Sequence, residues 1–389
     1  MTIIDRIGRR LRYSMIGGGP GAFIGEVHRK AAAMDGGMEL VGGAFSSTPE
    51  KSAQQGQALG LDSDRVHGSF LELIEDEAGR PEDERVDFIS IVTPNFMHYP
   101  AAKAAIEAGF HVVCDKPMTM TVEEAEDLAR LVEAHGVVFA LTHNYTGYPM
   151  VKQARHMVQS GELGTVRKIV AEYPQGWLAT LIEADGQKQA SWRTDPKRTG
   201  VSSAVGDIGS HAENLARYIT GLEIEELMAE MTTFVDGRQL EDDANMLVRF
   251  EGGAKGVLYC SQISVGEENN LRIRVYGTEK SLEWHQEDPN YLIVRSNDGP
   301  VQTLKRGNGY LCEAAQHNTR LPAGHPESFI EAFANVYRNA GRTMAAQIAG
   351  TEPTALDLDF PTVHDGVVGV RFIHKAVESG ERSAWVMMA

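Results

Sequence analysis

Three side chains capable of acid–base chemistry stand in defined sequence settings. Lys116 belongs to Asp-Lys-Pro, residues 115–117, which ends an apolar run, and the proline restricts the backbone of its neighbour. Such a pair closing a buried strand favours a functional role over that of a solvated surface lysine. Asp207 and His211 are four residues apart, so on a helix they share one face. A carboxylate beside an imidazole can act as a general acid/base pair.

Two other interpretations of His211 stay open at this level. The imidazole could be a structural histidine whose hydrogen bonds are satisfied, or it could ligate a metal together with Asp207. No third histidine, cysteine or acid lies nearby in a recognisable ligand motif, so we predict no metal site.

A glycine-rich turn, residues 17–25, lies between an apolar strand and a helical segment. Gly17, Gly19 and Ala22 match the pattern G-x-G-x-x-A, which allows backbone amides at a helix start to approach a pyrophosphate. Glycine turns without a ligand also occur, but the strand before and the helix after favour dinucleotide binding. The predicted contacts of this turn are Gly17, Gly19, Ala22, Phe23 and Ile24.

The end of the second strand bears on the choice between NAD and NADP. A carboxylate there would bind the ribose hydroxyls, but the chain has Ser46, Ser47 and, further on, Lys51. The serines tolerate either cofactor, and the lysine could meet a 2′-phosphate. NAD is weakly favoured, and both alternatives stay open.

These residues need elements to position them, and the hydrophobic pattern predicts an α/β protein. Five apolar runs alternate with helical segments through residue 144, which indicates a doubly wound parallel sheet with ligands at the carboxyl ends of its strands. We count the strand before Lys116 as the fifth. After Met150, eight strand-like segments follow one another, with a hairpin at Gly252 and Gly253, and helical patterning returns from His325.

These patterns divide the chain into three parts. We predict a dinucleotide-binding domain over 1–147 and a substrate-binding and oligomerisation domain with a large, mostly antiparallel open sheet over 148–355. A C-terminal helix and tail over 356–389 are expected to pack back near the first domain.

Composition narrows the class of protein. The 389 residues carry a net charge of −17, which disfavours binding to nucleic acid or to anionic membrane surfaces. Cys114, Cys260 and Cys312 are too scattered for a disulfide framework or a Cys-x-x-Cys metal site. The first residues contain four arginines but no long apolar stretch, so we expect neither a signal peptide nor a membrane span, and a cytoplasmic protein.

Four motifs in order resemble those of the glucose-fructose oxidoreductase, inositol dehydrogenase and rhizopine-catabolism family, Gfo/Idh/MocA. They are the glycine turn, Thr-Pro-Asn-Phe-Met-His at 93–98, Asp-Lys-Pro at 115–117 where Glu-Lys-Pro is commoner, and Gly-Asp-Ile-Gly-Ser-His at 206–211. The resemblance spans nearly the whole chain. It implies an N-terminal Rossmann domain and a C-terminal α/β domain whose open sheet commonly makes dimers or tetramers.

The resemblance also implies roles for individual residues. Lys116 would hydrogen-bond the reacting hydroxyl group, Asp207 would orient the substrate, and His211 would move the proton. Further cofactor contacts would come from Thr93, Pro94, Asn95, His98, Asp115 and Lys116. Substrate contacts would come from Asn144, Tyr145, Trp192, Arg193, Lys197 and His211.

The sequence departs from the family pattern in three places. The glycine turn is longer than usual, so Gly25 rather than Ala22 is a candidate for the third glycine. Thr146 and Gly147 stand where arginines often follow Asn-Tyr, which alters the expected pocket. Asp115 replaces the usual glutamate.

The chemistry implied is hydride transfer between a sugar or cyclitol secondary alcohol and nicotinamide. Hydride leaves a carbon bearing a hydroxyl group only as the proton departs, so a base and electrostatic support must act on one oxygen. Lys188, Arg193, Lys197 and Arg198 form either a solvated loop or a site for an anionic group on the sugar. Two alternatives remain open: an NAD-dependent glycoside hydrolase that oxidises its substrate only transiently, and a sensor that retains a dinucleotide without turnover.

Overall fold

A computed structural model describes all residues of the chain, 1–389, as fourteen strands and thirteen α-helices. The strands are β1 Leu11–Gly17, β2 Met38–Ala44, β3 Phe88–Val92, β4 His111–Cys114, β5 Phe139–Leu141, β6 Lys168–Pro174, β7 Ile224–Thr232, β8 Asp243–Phe250, β9 Lys255–Ser261, β10 Arg272–Tyr276, β11 Lys280–His285, β12 Tyr291–Ser296, β13 Gln302–Lys305 and β14 Val386–Met387. The helices are α1 Ile3–Ile7, α2 Phe23–Ala33, α3 Pro49–Ala58, α4 Phe70–Gly79, α5 His98–Glu107, α6 Val122–His135, α7 Pro149–Gln159, α8 Lys188–Arg193, α9 Pro196–Thr199, α10 Ser210–Thr220, α11 Glu313–His317, α12 Phe329–Ile348 and α13 Val363–Arg382. None of these helices is both long and apolar enough to span a lipid bilayer.

Contacts divide the chain into two compact units. The first contains Met1–Thr119, Glu123–Asn144 and Phe329–Val367, and the second contains Met120–Val122, Tyr145–Ser328 and Val368–Ala389. The long helix α12 is thus part of the first unit, and the terminal strand β14 pairs with β7 in the second. The domain boundaries that the sequence predicted after residues 147 and 355 stay a prediction.

The first unit is built on a parallel five-stranded sheet in the order β2-β1-β3-β4-β5. Strands β3 and β4 are buried throughout, as expected for a sheet covered on both faces. The strand order reverses between β1 and β3, which is where a doubly wound sheet opens a crevice at its carboxyl edge. The predicted Rossmann-type sheet is confirmed. The strand before Lys116 is the fourth along the chain, so counting it as the fifth was wrong.

The second unit is built on a nine-stranded sheet in the order β13-β12-β11-β10-β6-β9-β8-β7-β14. Only β6 and β9 pair in parallel, so the predicted mostly antiparallel sheet is confirmed. Gly252 and Gly253 have φ of 72° and 89° in the turn between β8 and β9, which pair as an antiparallel hairpin. The strand β14 is a ninth member that the pattern of eight segments did not include.

Buried histidines in the first unit make its stability depend on pH. His28 lies wholly inside, with Nδ1 2.7 Å from the Tyr337 hydroxyl group, and burial lowers its pKa from 6.5 to about 4. His111 is also buried, and burial lowers its pKa to about 4. Burial disfavours the charged imidazolium form, so the folded state binds fewer protons than the unfolded chain between these pKa values.

We therefore expect stability to fall as the pH drops from about 6.5 to about 4, and this contribution to level off below that range. Each histidine contributes about 3 kcal/mol to the loss at the acid end. Thermal unfolding at a series of pH values measures the effect. Replacing His28 and His111 with glutamine should flatten the slope, whereas His135→Gln, at an exposed position, should not. An unchanged slope in the double variant would contradict this explanation.

Candidate functional site

The glycine turn after β1 has the close backbone packing that a dinucleotide site requires. Gly17 and Gly18 have φ of 91° and 72°, in the region that favours glycine. A Cβ on Gly19 would lie 2.5 Å from the Phe45 carbonyl oxygen, so only glycine fits there without a shift. Helix α2 begins after Ala22, whose side chain makes no capping hydrogen bond. The amides at this helix start are therefore not capped by that side chain, and the residues present fit a pyrophosphate.

Gly25, rather than Ala22, has the close backbone contact expected of the third glycine in the turn. A Cβ at Gly25 would lie 2.4 Å from the Cα of Gly18, so this glycine lets α2 pack closely on the turn. Close packing of helix against strand is what the third glycine of a dinucleotide-binding fingerprint provides. Ala22 is instead the residue that precedes α2. Phe23, the first residue of the helix, exposes 63% of its surface, which leaves an apolar ring beside the turn.

Unsatisfied polar atoms mark the carboxyl edge of the parallel sheet. The Thr93 hydroxyl oxygen after β3 and the Asn144 amide nitrogen after β5 are buried without a hydrogen-bond partner. Lys116 follows β4, which lies between those two strands in the sheet. A buried donor or acceptor without a partner is costly, so these atoms indicate a place where a polar group of a ligand fits.

Asp115 and His98 organise the backbone at this edge. One Asp115 carboxylate oxygen accepts from the Thr142 hydroxyl group and from the Lys116 amide, each at 2.9 Å. The His98 ring nitrogens lie 2.8 Å from the Pro117 carbonyl oxygen and 2.9 Å from that of Thr93. His98 is fully buried, and burial lowers its pKa. Both side chains therefore connect neighbouring loops, and their predicted contacts with a cofactor stay a prediction.

The other predicted cofactor residues lie at neighbouring ends of the same sheet. Pro94 and Asn95 begin the short helical turn after β3. Ser46 and Ser47 follow β2, and the Ser46 hydroxyl oxygen accepts from the Thr48 amide at 3.1 Å. Lys51 lies exposed in the first turns of α3. No carboxylate stands directly after β2, so the structure leaves the choice between NAD and NADP where the sequence left it.

In the second unit, His211 lies against two tyrosine rings. Its ring centroid is 4.7 Å from that of Tyr145, edge to face, and 6.1 Å from that of Tyr173. The Tyr173 hydroxyl group donates to the Asn269 side-chain oxygen at 2.6 Å and lies 2.5 Å from the Tyr145 hydroxyl group. Because Tyr173 gives its proton to Asn269, Tyr145 donates to Tyr173. The Tyr145 hydroxyl oxygen in turn lies 3.4 Å from the Asn269 side-chain nitrogen, which donates to it.

Burial raises the pKa of Tyr145 and, more strongly, that of Tyr173. Both phenols are therefore neutral near pH 7 and act as fixed hydrogen-bonding groups rather than as proton carriers. Of the groups in contact here, the imidazole is the one whose ordinary chemistry suits proton transfer near neutral pH.

Asp207 is the centre of a second polar cluster. Its Oδ2 accepts from Arg193 Nε at 3.1 Å and from Gln262 Nε2 at 2.9 Å. The Arg193 guanidinium lies over the Trp192 ring at 4.2 Å and near the Trp177 ring at 5.9 Å. Arg193 also donates to the Gln189 side-chain oxygen at 2.7 Å. Asp207 and Arg193 thus form a partly buried ion pair framed by two indoles.

The helix carrying Asp207 and His211 begins irregularly. Residues Val205–Gly209 form a π-helical turn that continues directly into α10, and α10 ends at Gly221 in the left-handed conformation, as predicted. Such π turns often mark functional sites. The sequence indicated a helix with a glycine-rich start but carried no signal for the wider turn.

Several residues of this cluster were not identified from the sequence. Tyr173, Trp177, Gln262 and Asn269 lie on β6, β9 or the loops after them, and they reach the cluster through strand pairing. Tyr145, Trp192 and Arg193, which were predicted, are brought together with them.

Other residues predicted from the sequence lie apart from this cluster. The side chains of Lys197 and Lys188 are exposed. Asn144 lies in the first unit, after β5.

Comparisons with known proteins identify a family for each half of the chain. Residues 11–143 match the model of an oxidoreductase family with an NAD-binding Rossmann fold, and residues 151–283 match the GFO/IDH/MocA C-terminal domain. An uncharacterised oxidoreductase of Bacillus subtilis, YfiI, is 34% identical, with 98% of this chain and 97% of the relative covered.

Two solved structures from Azotobacter vinelandii are also similar. An inositol dehydrogenase homologue complexed with NAD+ is 39% identical, with 98% of each chain covered and a TM-score of 0.94. An inositol dehydrogenase homologue complexed with NADH and myo-inositol is 37% identical, with 100% of each chain covered and a TM-score of 0.92. With both of its halves matched, the chain belongs to the Gfo/Idh/MocA family of NAD-binding oxidoreductases.

Proposed function

We propose that the protein oxidises a secondary alcohol of a cyclitol or neutral sugar, with NAD+ as the hydride acceptor. The observation that carries this proposal is the full-length similarity, at 37% identity, to a structure that holds NADH and myo-inositol. When bound, the nicotinamide ring would accept the hydride from the substrate carbon. Lys116 would hydrogen-bond the reacting hydroxyl group, and the His211 imidazole would take its proton.

The polar cluster of the second unit would position the substrate. Asp207 offers carboxylate oxygens to sugar hydroxyl groups, while Arg193 and Gln262 keep that carboxylate in place. Trp177 and Trp192 offer indole surface beside it, and the ring of Tyr145 packs against His211 at 4.7 Å and would keep the imidazole in place. Fixing a substrate in this way lowers the entropic part of the barrier.

A neutral substrate is favoured over an anionic one by the state of Arg193. Its guanidinium is already paired with the Asp207 carboxylate and bonded to Gln189, so an anionic group on the sugar would have to displace a carboxylate. Lys197 is exposed and remains the residue through which an anionic substituent would be bound.

The decisive experiment measures NADH absorbance with the purified protein, NAD+ and a panel of myo-inositol, neutral pyranoses and their uronic acids. Net NADH formation with the neutral polyols supports the proposal. Faster turnover of the uronic acids would overturn the preference for neutral substrates. Release of nitrophenol from a nitrophenyl glycoside without net NADH would identify a glycoside hydrolase. Bound cofactor without any conversion would identify a sensor.

The role assigned to the glycine turn predicts the effect of Gly25→Ala. The new methyl group would meet the Gly18 backbone, so helix and turn must separate and the phosphate-binding amides must shift. We expect the Kd for NAD+ to rise about tenfold, which corresponds to about 1.4 kcal/mol. Gly79→Ala is the control. Gly79 is the last residue of α4, and nothing lies within 4 Å of the Cβ that alanine would add there. Equal NAD+ affinity of both variants in calorimetry would contradict the packing role.

We further propose that the protein assembles into homo-oligomers through the large sheet. Met228, Leu247, Val257 and Val170 pair across the neighbouring strands β7, β8, β9 and β6, and they form an apolar row. Leu247, in the middle of this row, exposes 50% of its surface. Such a row on an open sheet face suits burial against a second copy.

This assembly predicts the effect of a charge within the row. Leu247→Glu should shift the mass measured by light scattering after gel filtration towards the monomer. Val301→Glu, at an exposed position outside the row, should leave the mass unchanged. A wild-type chain that runs as a monomer at micromolar concentration would contradict the proposal.

A further inference from the structure

A buried carboxylate that belongs to none of the four sequence motifs contacts the start of the helix that carries Asp207 and His211. Glu241 precedes β8 and is 7% exposed. Its Oε1 accepts three hydrogen bonds, from the Ser202 hydroxyl group at 2.5 Å and from the amides of Ser203 and Val205 at 3.0 Å each. A carboxylate buried to this degree persists only where such donors surround it.

The donors are those that a helix start leaves without partners. Val205 begins the π turn, and the next amide, that of Gly206, donates to the Ser202 hydroxyl oxygen at 3.0 Å. Glu241 therefore binds one of these amides directly and the following one through Ser202. Negative charge at this end of a helix is also favoured by the helix dipole.

The π turn also has little room to move where Gly209 faces the sheet. A Cβ on Gly209 would lie 3.0 Å from the Cys260 sulfur atom on β9, so the turn packs closely on the sheet. Asp207 lies within this turn, and its carboxylate is held by Arg193 and Gln262. His211 follows two residues after Gly209, in the first turn of α10.

We propose that Glu241 is a positioning residue, whose carboxylate sets where the helix begins and thereby where Asp207 and His211 point. The inference rests on the proposed oxidoreductase function of these two residues. A misplacement of a reacting group by about 1 Å costs about 100-fold in rate, so a small shift of the helix start has a large kinetic effect.

The adjacent Asp242 supplies a matched control. It is 1% exposed and accepts from the amides of Phe234 and Val235 and from Arg238, all in a different loop. Glu241→Ala and Asp242→Ala therefore each remove a buried carboxylate that binds two amides. A merely structural role predicts that both variants lose similar thermal stability and similar activity.

Positioning predicts a different pattern. Glu241→Ala should lower kcat about 100-fold at an unchanged Kd for NAD+, whereas Asp242→Ala should keep kcat within about threefold of wild type. Glu241→Gln keeps an oxygen that accepts the same bonds and should recover most of the lost rate. Equal kcat in the two alanine variants, or no recovery with glutamine, would overturn the proposal. If Glu241→Ala does not fold, Ser202→Ala, which removes the link to Gly206, replaces it with the same expectations.

Hydrogen exchange provides a test that needs no substrate. Glu241→Ala, or Ser202→Ala in its place, should speed exchange of the amides of residues 205–211 relative to Asp242→Ala, as measured by mass spectrometry. Unchanged exchange in that segment overturns the proposal even if no substrate is found. Faster exchange together with a wild-type protein that oxidises no polyol would support the role of Glu241 at the helix start and refute the proposed function alone.

Discussion

Lys116→Ala is expected to lower kcat about 100- to 1000-fold while the Kd for NAD+ changes little. The ammonium group follows β4, between two strands whose ends bear unsatisfied polar atoms at Thr93 and Asn144. Under the proposed function it stabilises negative charge that develops on the substrate oxygen only as the proton departs. An interaction made chiefly in the transition state appears in kcat rather than in binding.

Steady-state kinetics with the best polyol and calorimetry with NAD+ measure the two quantities separately. Lys103→Ala is the control, because Lys103 lies at the surface of the same unit, where it pairs with Asp127. Its kcat should remain close to that of wild type. A Lys116→Ala protein with normal kcat would refute the role, and one that no longer binds NAD+ would make Lys116 a cofactor contact instead.

The sequence predicted the first eight strands of the large sheet and all five of the small one because each carries a local hydrophobic pattern. β14 has two residues, which is too short for such a pattern, and it forms only by pairing with β7. The same limit applied at the candidate site. Lys116, Asp207 and His211 lie in recognisable motifs. Gln262 reaches Asp207, and Glu241 reaches the start of its helix, only through the pairing of distant strands.

Spacing was also insufficient at the glycine turn. Ala22 and Gly25 both fit the sequence pattern, and only the distance between the Gly25 position and the Gly18 backbone distinguishes their roles. Likewise, four arginine and lysine residues between 188 and 198 left open either a solvated loop or an anion site. The ion pair of Arg193 with Asp207 disfavours the anion site, because that guanidinium is already paired with a carboxylate. The sequence shows that a residue is charged but does not show which residue it pairs with.

His211→Gln is the second variant for which a large effect is expected, a loss of about 100- to 10,000-fold in kcat/KM. Glutamine keeps a polar side chain of similar length but cannot accept the hydroxyl proton. The neighbouring phenols cannot replace the base, because burial raises the pKa of both Tyr145 and Tyr173. The acidic limb of the pH profile of kcat/KM, where a base becomes protonated, should therefore disappear in the variant.

His156→Gln provides the control, since His156 is exposed on α7 of the same unit and should leave both rate and pH profile unchanged. The double variant of Lys116 and His211 then tests whether the two residues serve one step. If both act on the same hydroxyl group, the combined loss is smaller than the product of the single losses, because neither residue can function fully without the other. Losses that multiply would show that they act in separate steps, and the proposed division of roles between the ammonium and imidazole groups would have to be abandoned.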